Sequence, residues 1–175
     1  MSRPGWLSKV LTVEVRPVRP DEYERAGQLV VAAYEALPGS HVSAGYADEL
    51  RAVGRRAVQA EVLVAVCGDL VGCATFVPDA SSPWAEQAEA DESMLRMLAV
   101  APAAQGRGVG TALLGACTER ARALGRAGLF LHSTPWMEAA HHLYYKAGFV
   151  RLPDRDWSPV ADVTLWAFRL DLTRP

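Results

Sequence analysis

The stretch Leu95-Arg96-Met97-Leu98-Ala99-Val100-Ala101-Pro102-Ala103-Ala104-Gln105-Gly106-Arg107-Gly108-Val109-Gly110-Thr111 holds the residues of this chain best suited to chemistry. An apolar run of strand character meets three glycines, and a helical pattern follows. Glycines let backbone N–H groups point at a ligand with no side chain in the way, and a helix start leaves several such donors unsatisfied. Together they form an anion site suited to phosphate oxygens, to which Arg107 adds a cation. The plain alternative is a glycine-rich connection with no ligand. A P-loop requires GxxxxGK followed by Ser or Thr, and this stretch has no lysine. A dinucleotide fingerprint requires GxGxxG, but the third glycine, Gly110, comes one position early. Neither nucleotide motif fits.

A second patterned stretch is Ala140-His141-His142-Leu143-Tyr144-Tyr145-Lys146-Ala147-Gly148-Phe149. Ala140, Leu143, Tyr144 and Ala147 share helical spacing, which suits a core aromatic whose phenol needs a partner if buried. Metal chemistry finds no support. Cys67, Cys73 and Cys117 are an odd, widely spaced set among apolar neighbours, as expected of buried thiols in a reducing compartment. No CxxC or Cys–His spacing suggests zinc, and the adjacent His141 and His142 point in different directions on a helix.

Around these stretches the chain alternates strand and helix patterns. Residues 13–19 read as an opening strand, and Pro20 with Asp21 and Glu22 begins a helix that Pro38-Gly39 ends. A second helix is expected over 47–60, with Arg51, Arg55 and Arg56 on its surface. Residues 61–67 and 70–77 form a hairpin about Gly68-Asp69. Residues 78–91 are a polar loop carrying Glu86, Glu89 and Asp91. Residues 94–100 make an apolar strand interrupted by Arg96. Leu113, Cys117, Ala121 and Leu124 give one helical face, 129–133 a strand, and 138–146 a short helix ended by Gly148. Strands over 149–152 and 163–170 close the chain. The first twelve residues read as a flexible tail, and 13–172 as one α/β (α+β) domain with helices packed on a mixed sheet.

Composition narrows the function. The 175 residues are half apolar and 22% charged, an ordinary soluble composition. Eighteen basic against twenty acidic residues leave a formal charge of −2, without the cationic excess of a nucleic-acid protein. No apolar run is long enough to span a bilayer, and residues 1–11 lack the apolar run of a signal peptide. The expected setting is cytoplasmic, with no membrane and no nucleic-acid partner.

Gln105-x-x-Gly108-x-Gly110 after a Leu-Ala-Val strand resembles the pyrophosphate motif of the GNAT superfamily of acetyl-CoA-dependent N-acetyltransferases. The stretch from Ala140 to Phe149 looks like that family's AxxLYxxxGF helix and turn, at the family's separation. The resemblance implies a mostly antiparallel central sheet of six to seven strands with a parallel splayed pair, and about four helices on both faces. It implies acetyl-CoA as co-substrate and no metal. Leu98, Ala99 and Val100 would lie along pantetheine. Gly106, Arg107, Gly108, Val109, Gly110 and Thr111 would face the pyrophosphate, with Gln105 shaping the turn. Tyr144 matches the tyrosine that protonates the departing thiolate.

Two departures stand out. Met94 occupies the position of the glutamate that many members use as base, and Glu92 is the nearest substitute, although a solvated loop carboxylate is the plainer reading of it. Met137 stands where many relatives have an asparagine against pantetheine. The implied function is transfer of an acetyl group to a primary amine of a small molecule or peptide. The alternative is a non-catalytic acetyl-CoA-binding regulatory module. A homodimer through the apolar C-terminal strand around Trp166 is a further expectation, as is burial of that strand in the monomer's own sheet.

Overall fold

The computed structural model describes residues 12–174, so most of the expected tail lies outside the described residues. The chain opens with strand β1 (Glu14–Pro17) and a turn of 3-10 helix, then helix α1 (Tyr23–Glu35). Arg16 grips the Glu22 carboxylate at 2.8 and 2.7 Å, fixing that entry. The single helix expected over 47–60 is two helices, α2 (Ala44–Arg51) and α3 (Val53–Gln59), which break at Ala52 (ψ +52°). Ser43 caps α2, its hydroxyl oxygen accepting the Tyr46 N–H at 3.2 Å.

The break corrects the placement of Arg56, which is fully buried and not on the surface. Its guanidinium donates to the carbonyls of Glu49 and Leu50 at the end of α2, the first of which also accepts the Ala52 N–H, and Nε donates to Thr75 Oγ1 at 3.2 Å. A buried cation is tolerable because its donor fork is used on oxygens in the place of water.

Strands β2 (Glu61–Cys67) and β3 (Asp69–Val77) form the expected hairpin. Then come β4 (Glu92–Val100), α4 (Val109–Ala123), β5 (Gly128–Ser133), α5 (Glu138–Lys146), the two-residue β6 (Val150–Arg151), β7 (Trp157–Val160) and β8 (Val163–Asp171). The sheet runs β1-β2-β3-β4-β5-β8-β6, with β7 also on β8. Eight strands and five α-helices among the described residues exceed the expected counts by β7 and by the split helix. Only β4 and β5 are parallel, from Glu92↔Gly128 to Leu95↔Leu131.

Alternation along the strands gives each face its own core. Val30, Leu50, Val53, Val64, Met94 and Phe130 pack on the α1–α3 side. Phe76, Leu95, Leu113, Leu129 and Phe168 pack on the α4–α5 side. Strand β8 has β5 on one side and β6 and β7 on the other, so it is interior, not an edge offered to a second copy. Cys73 and Cys117 are fully buried, and burial pushes both thiols up to about 12, as for inert core residues. No helix among the described residues is long and apolar enough to cross a membrane.

Candidate functional site

The sheet opens where β4 leaves β5. Their pairing ends at Leu95–Leu131. On its other side β4 changes register against β3, where the Cys73–Thr75 step meets the longer Arg96–Ala99 step, and Met97 takes a φ of +52°. An extra residue in one strand bends it and increases its twist. Past Arg96, Ala99 and Val100 keep β3 on one side, and Leu98, Ala99 and Val100 have no strand on the other.

A groove of about 300 Å³ occupies this opening. Leu98, Ala99 and Val100 line it with Gln105, Gly106, Gly108, Val109, Gly110 and Thr111, so the two ends of the glycine motif come together. Gly108 caps α4 with a φ of +80°, and Gly106 has a φ of +73°. A side chain would be strained at either, and the space above both is open. Among the described residues, no hydrogen bond of ordinary geometry is donated within the chain by the backbone N–H groups of Val109, Gly110 and Thr111. These donors and the positive end of a 15-residue helix are free for an anion. Gln105 Nε2 reaches back to the Val100 carbonyl at 3.5 Å. Arg107 is exposed beside the turn and does not form the groove wall.

Helix α5 supplies another wall through Met137 at its N-cap, Ala139, Ala140 and Leu143. Met137 Sδ accepts from the Ser133 hydroxyl at 3.6 Å. Tyr144 lies behind this wall, 4% exposed, with its ring against Phe149 (5.8 Å) and Phe168 (5.7 Å). Burial raises its phenol well above the ordinary value, so the hydroxyl keeps its proton at neutral pH.

Glu92 is not brought to the groove. It is the first residue of β4, six before Leu98, and is fully buried. Arg155 holds both its oxygens at 2.8 and 2.9 Å, Arg169 Nε donates at 2.8 Å, and the Glu89 N–H at 2.9 Å. Burial alone would raise this carboxyl, but the bonds from Arg155, the Glu89 N–H and Arg169 outweigh it and hold the acidity below the usual carboxylate value. A carboxylate so paired is a poor base. The expectation that Glu92 substitutes for the missing glutamate therefore gives way to a structural role, tying the loop before β4 to β8 and to the segment after β6.

The α1–α3 face carries groups that sequence reasoning missed. Ala33 and Tyr34 of α1, with Leu37 just past its end, add a further groove wall. Tyr34 meets the Tyr46 ring edge-on at 6.2 Å. Arg96, only 13% exposed, lies 3.7 Å from Glu49 and 3.3 Å from Glu86, and donates to the Trp84 carbonyl at 3.1 Å. Its guanidinium also lies over the buried Trp84 ring at 5.5 Å. An arginine inside an otherwise apolar strand was the one signal that pointed to this cluster. His132 on β5 completes the face, its Nε2 3.3 Å from the Arg155 carbonyl oxygen.

The comparisons agree with this geometry. The model of the acetyltransferase (GNAT) family matches residues 27–149, from α1 through the turn after α5. No curated protein matches the sequence significantly. A GNAT-family acetyltransferase from Staphylococcus aureus Mu50 has the same fold at a TM-score of 0.73 and 13% identity, over 93% of this chain and all of that one. A GNAT-family structure from Desulfovibrio desulfuricans gives 0.71 at 23% identity, over 91% and 99%. A Salmonella typhimurium structure solved with its cofactor acetyl-CoA gives 0.66 at 19% identity, over 94% and 96%. With a family model spanning most of the sequence, and a splayed strand pair meeting a glycine-capped helix, the chain belongs to the GNAT family of acetyltransferases.

Proposed function

We propose that this chain moves an acetyl group from acetyl-CoA to a primary amine by direct attack within a ternary complex. The observation that carries the reading is the set of free N–H groups at the start of α4, opening into a groove whose facing wall is the unpaired end of β4. The donors suit a diphosphate and the strand end suits the amides of pantetheine. Acetyl-CoA supplies an already activated thioester, so the chain's task is to align an amine, stabilise the carbonyl oxygen and manage two protons. A backbone N–H near Leu98 is the oxyanion donor, and Tyr144 donates to the departing sulfur.

The amine enters from the α1–α3 face, past Tyr34 and the Arg96 cluster. There the carboxylates of Glu49 and Glu86 beside Arg96 give an ammonium group acceptors to meet, while Arg55 over the Trp84 ring and the buried Arg56 balance their charge. The bound carboxylate of Glu92 and the methionine at 94 favour a second reading, a coenzyme-binding module without turnover. Thiol release from acetyl-CoA across a broad amine panel, beside calorimetric titration of acetyl-CoA, decides between them. Binding with release supports acetyl transfer, binding without release supports the module, and no binding rejects both.

A further inference from the structure

A thioester is attacked by a neutral amine, and the nitrogen that forms the new bond must shed a proton. On the acetyltransferase reading above, some group of this chain must receive it. Met94 offers no usable lone pair, Glu92 has its oxygens occupied by Arg155, Arg169 and the Glu89 N–H, and the buried Tyr144 phenol retains its proton. Of the basic side chains on the paired strands β4 and β5, one keeps an unclaimed lone pair.

It belongs to His132. Phe130 is the register partner of Met94, and His132 lies two residues further along β5 on the same face, one step past the last rung with β4. The Arg155 carbonyl at 3.3 Å can only accept, so the Nε2 atom of His132 carries the ring's hydrogen. Nδ1 is then the acceptor nitrogen. It is buried and has no hydrogen-bond partner among the described residues. Phe130, edge-on at 4.9 Å, and Trp157 at 5.8 Å hold the ring. The groove reaches this face through Tyr34 and Leu37, and Arg96 and His132 stand on it as the residues one step past the last rung between β4 and β5.

We infer that His132 Nδ1 accepts the proton released by the attacking amine, directly or through one water. As the C–N bond forms and the C–S bond breaks, the surplus proton on nitrogen passes to Nδ1. The thiolate takes a proton from the Tyr144 hydroxyl, and the imidazolium and the phenolate then re-equilibrate with solvent. The net result is an amide and a free thiol.

The surroundings keep the imidazole neutral at neutral pH. Burial lowers its basicity and the bond to the Arg155 carbonyl opposes this. The charges of Arg155 and of Arg96 on β4 lower it further, and Asp156 raises it.

The test is His132→Gln, whose amide can still donate to the Arg155 carbonyl but cannot take a proton. It is assayed with whichever amine of the panel the unaltered chain turns over fastest. We expect kcat/KM to fall by about a hundredfold or more, and the limb of the pH profile below the ordinary histidine value to vanish, with the KM for acetyl-CoA unchanged. Nitrogen NMR of the unaltered chain should find the Nε2–H tautomer at pH 7.5. Variant kinetics within about threefold of the original, or an Nδ1–H tautomer, overturn the assignment. If the variant does not fold, the tautomer decides alone. Acetyl-CoA titration separates the two levels: no binding by the unaltered chain defeats the acetyltransferase reading itself. Binding with no amine turned over defeats the role of His132 and leaves the coenzyme site standing.

Discussion

Replacing Glu92 by Gln keeps the shape of a fully buried side chain and removes the charge between two guanidiniums. Breaking a buried ion pair by removing one partner costs about 3–5 kcal/mol, because the other charge is left uncompensated. Here the stranded charges are Arg155 and Arg169, whose side chains keep 20% and 23% exposure. Water can partly solvate them, which places the loss near the low end, about 3 kcal/mol. For a chain of this length, each kcal/mol moves the melting temperature by about 2–4 °C, so a fall of roughly 6–12 °C is expected at pH 7. The sign with pH follows from a carboxyl held below its ordinary value in the fold. Its contribution is present above the unfolded pKa and is lost as pH falls through the folded one, so the two melting curves should draw together as pH falls below the ordinary carboxylate range. Thermal melts and urea titrations of both proteins at pH 7 and in that acid range measure this directly. A Glu92→Gln variant as stable as the original at pH 7, or a gap that widens in acid, would refute the structural role of the carboxylate.

Gly108→Glu should remove measurable acetyl-CoA binding by calorimetry in a chain that circular dichroism shows to be folded, since the carboxylate would enter the anion site at a φ of +80°. Retained affinity would place the phosphates elsewhere. Tyr144→Phe should lower kcat by about a hundredfold, near the low end for acid catalysis because a thiolate leaves readily, with acetyl-CoA affinity little changed. Tyr145→Phe, 52% exposed and one residue on, should be nearly silent, and the reverse result would reassign the acid. Gly27→Ala would put a Cβ 2.5 Å from the Arg51 carbonyl oxygen. The helices α1 and α2 must then part, at a cost of about 1–3 kcal/mol read from urea unfolding. An unchanged midpoint would mean that the contact yields freely.

Elements with local punctuation were legible in the sequence. The helix over 138–146 has the expected bounds because Gly148 ends it, and the hairpin turns where Gly68-Asp69 requires it. The break at Ala52 carries no glycine or proline, and depends on Arg56 reaching carbonyls from below. Strand β7 was hidden because Pro159 lies within four residues, which is tolerable only where no ladder bond is lost. The glycine groove could be read from residue types alone, since a phosphate site needs those types in that order. Glu92 and His132 could not. Their partners Arg155 and Arg169 lie 63 and 77 residues from Glu92, and the carbonyl that orients His132 lies 23 residues away. Only the fold brings such pairs together.

The same fold explains why the groove sits at a strained residue. A non-glycine in the left-handed region costs about 1–2 kcal/mol, and Met97 has no hydrogen-bonding side chain to offset it. Without the bulge, β4 could continue in register beside β5 as far as Met97 and Ser133, and the gap would narrow. Gly72 answers the bulge from β3: a Cβ there would meet Leu113 and Val109 of α4 at 2.8 Å and the Ala99 carbonyl at 3.2 Å. Its bareness lets α4 settle against the sheet, so that the free N–H groups of its first turn stand beside the unpaired end of β4. Bulge and glycine thus act on opposite strands to one effect, setting a helix start against an open strand edge. Either one alone would leave an anion site without a strand to align the ligand, or a strand edge without an anion site.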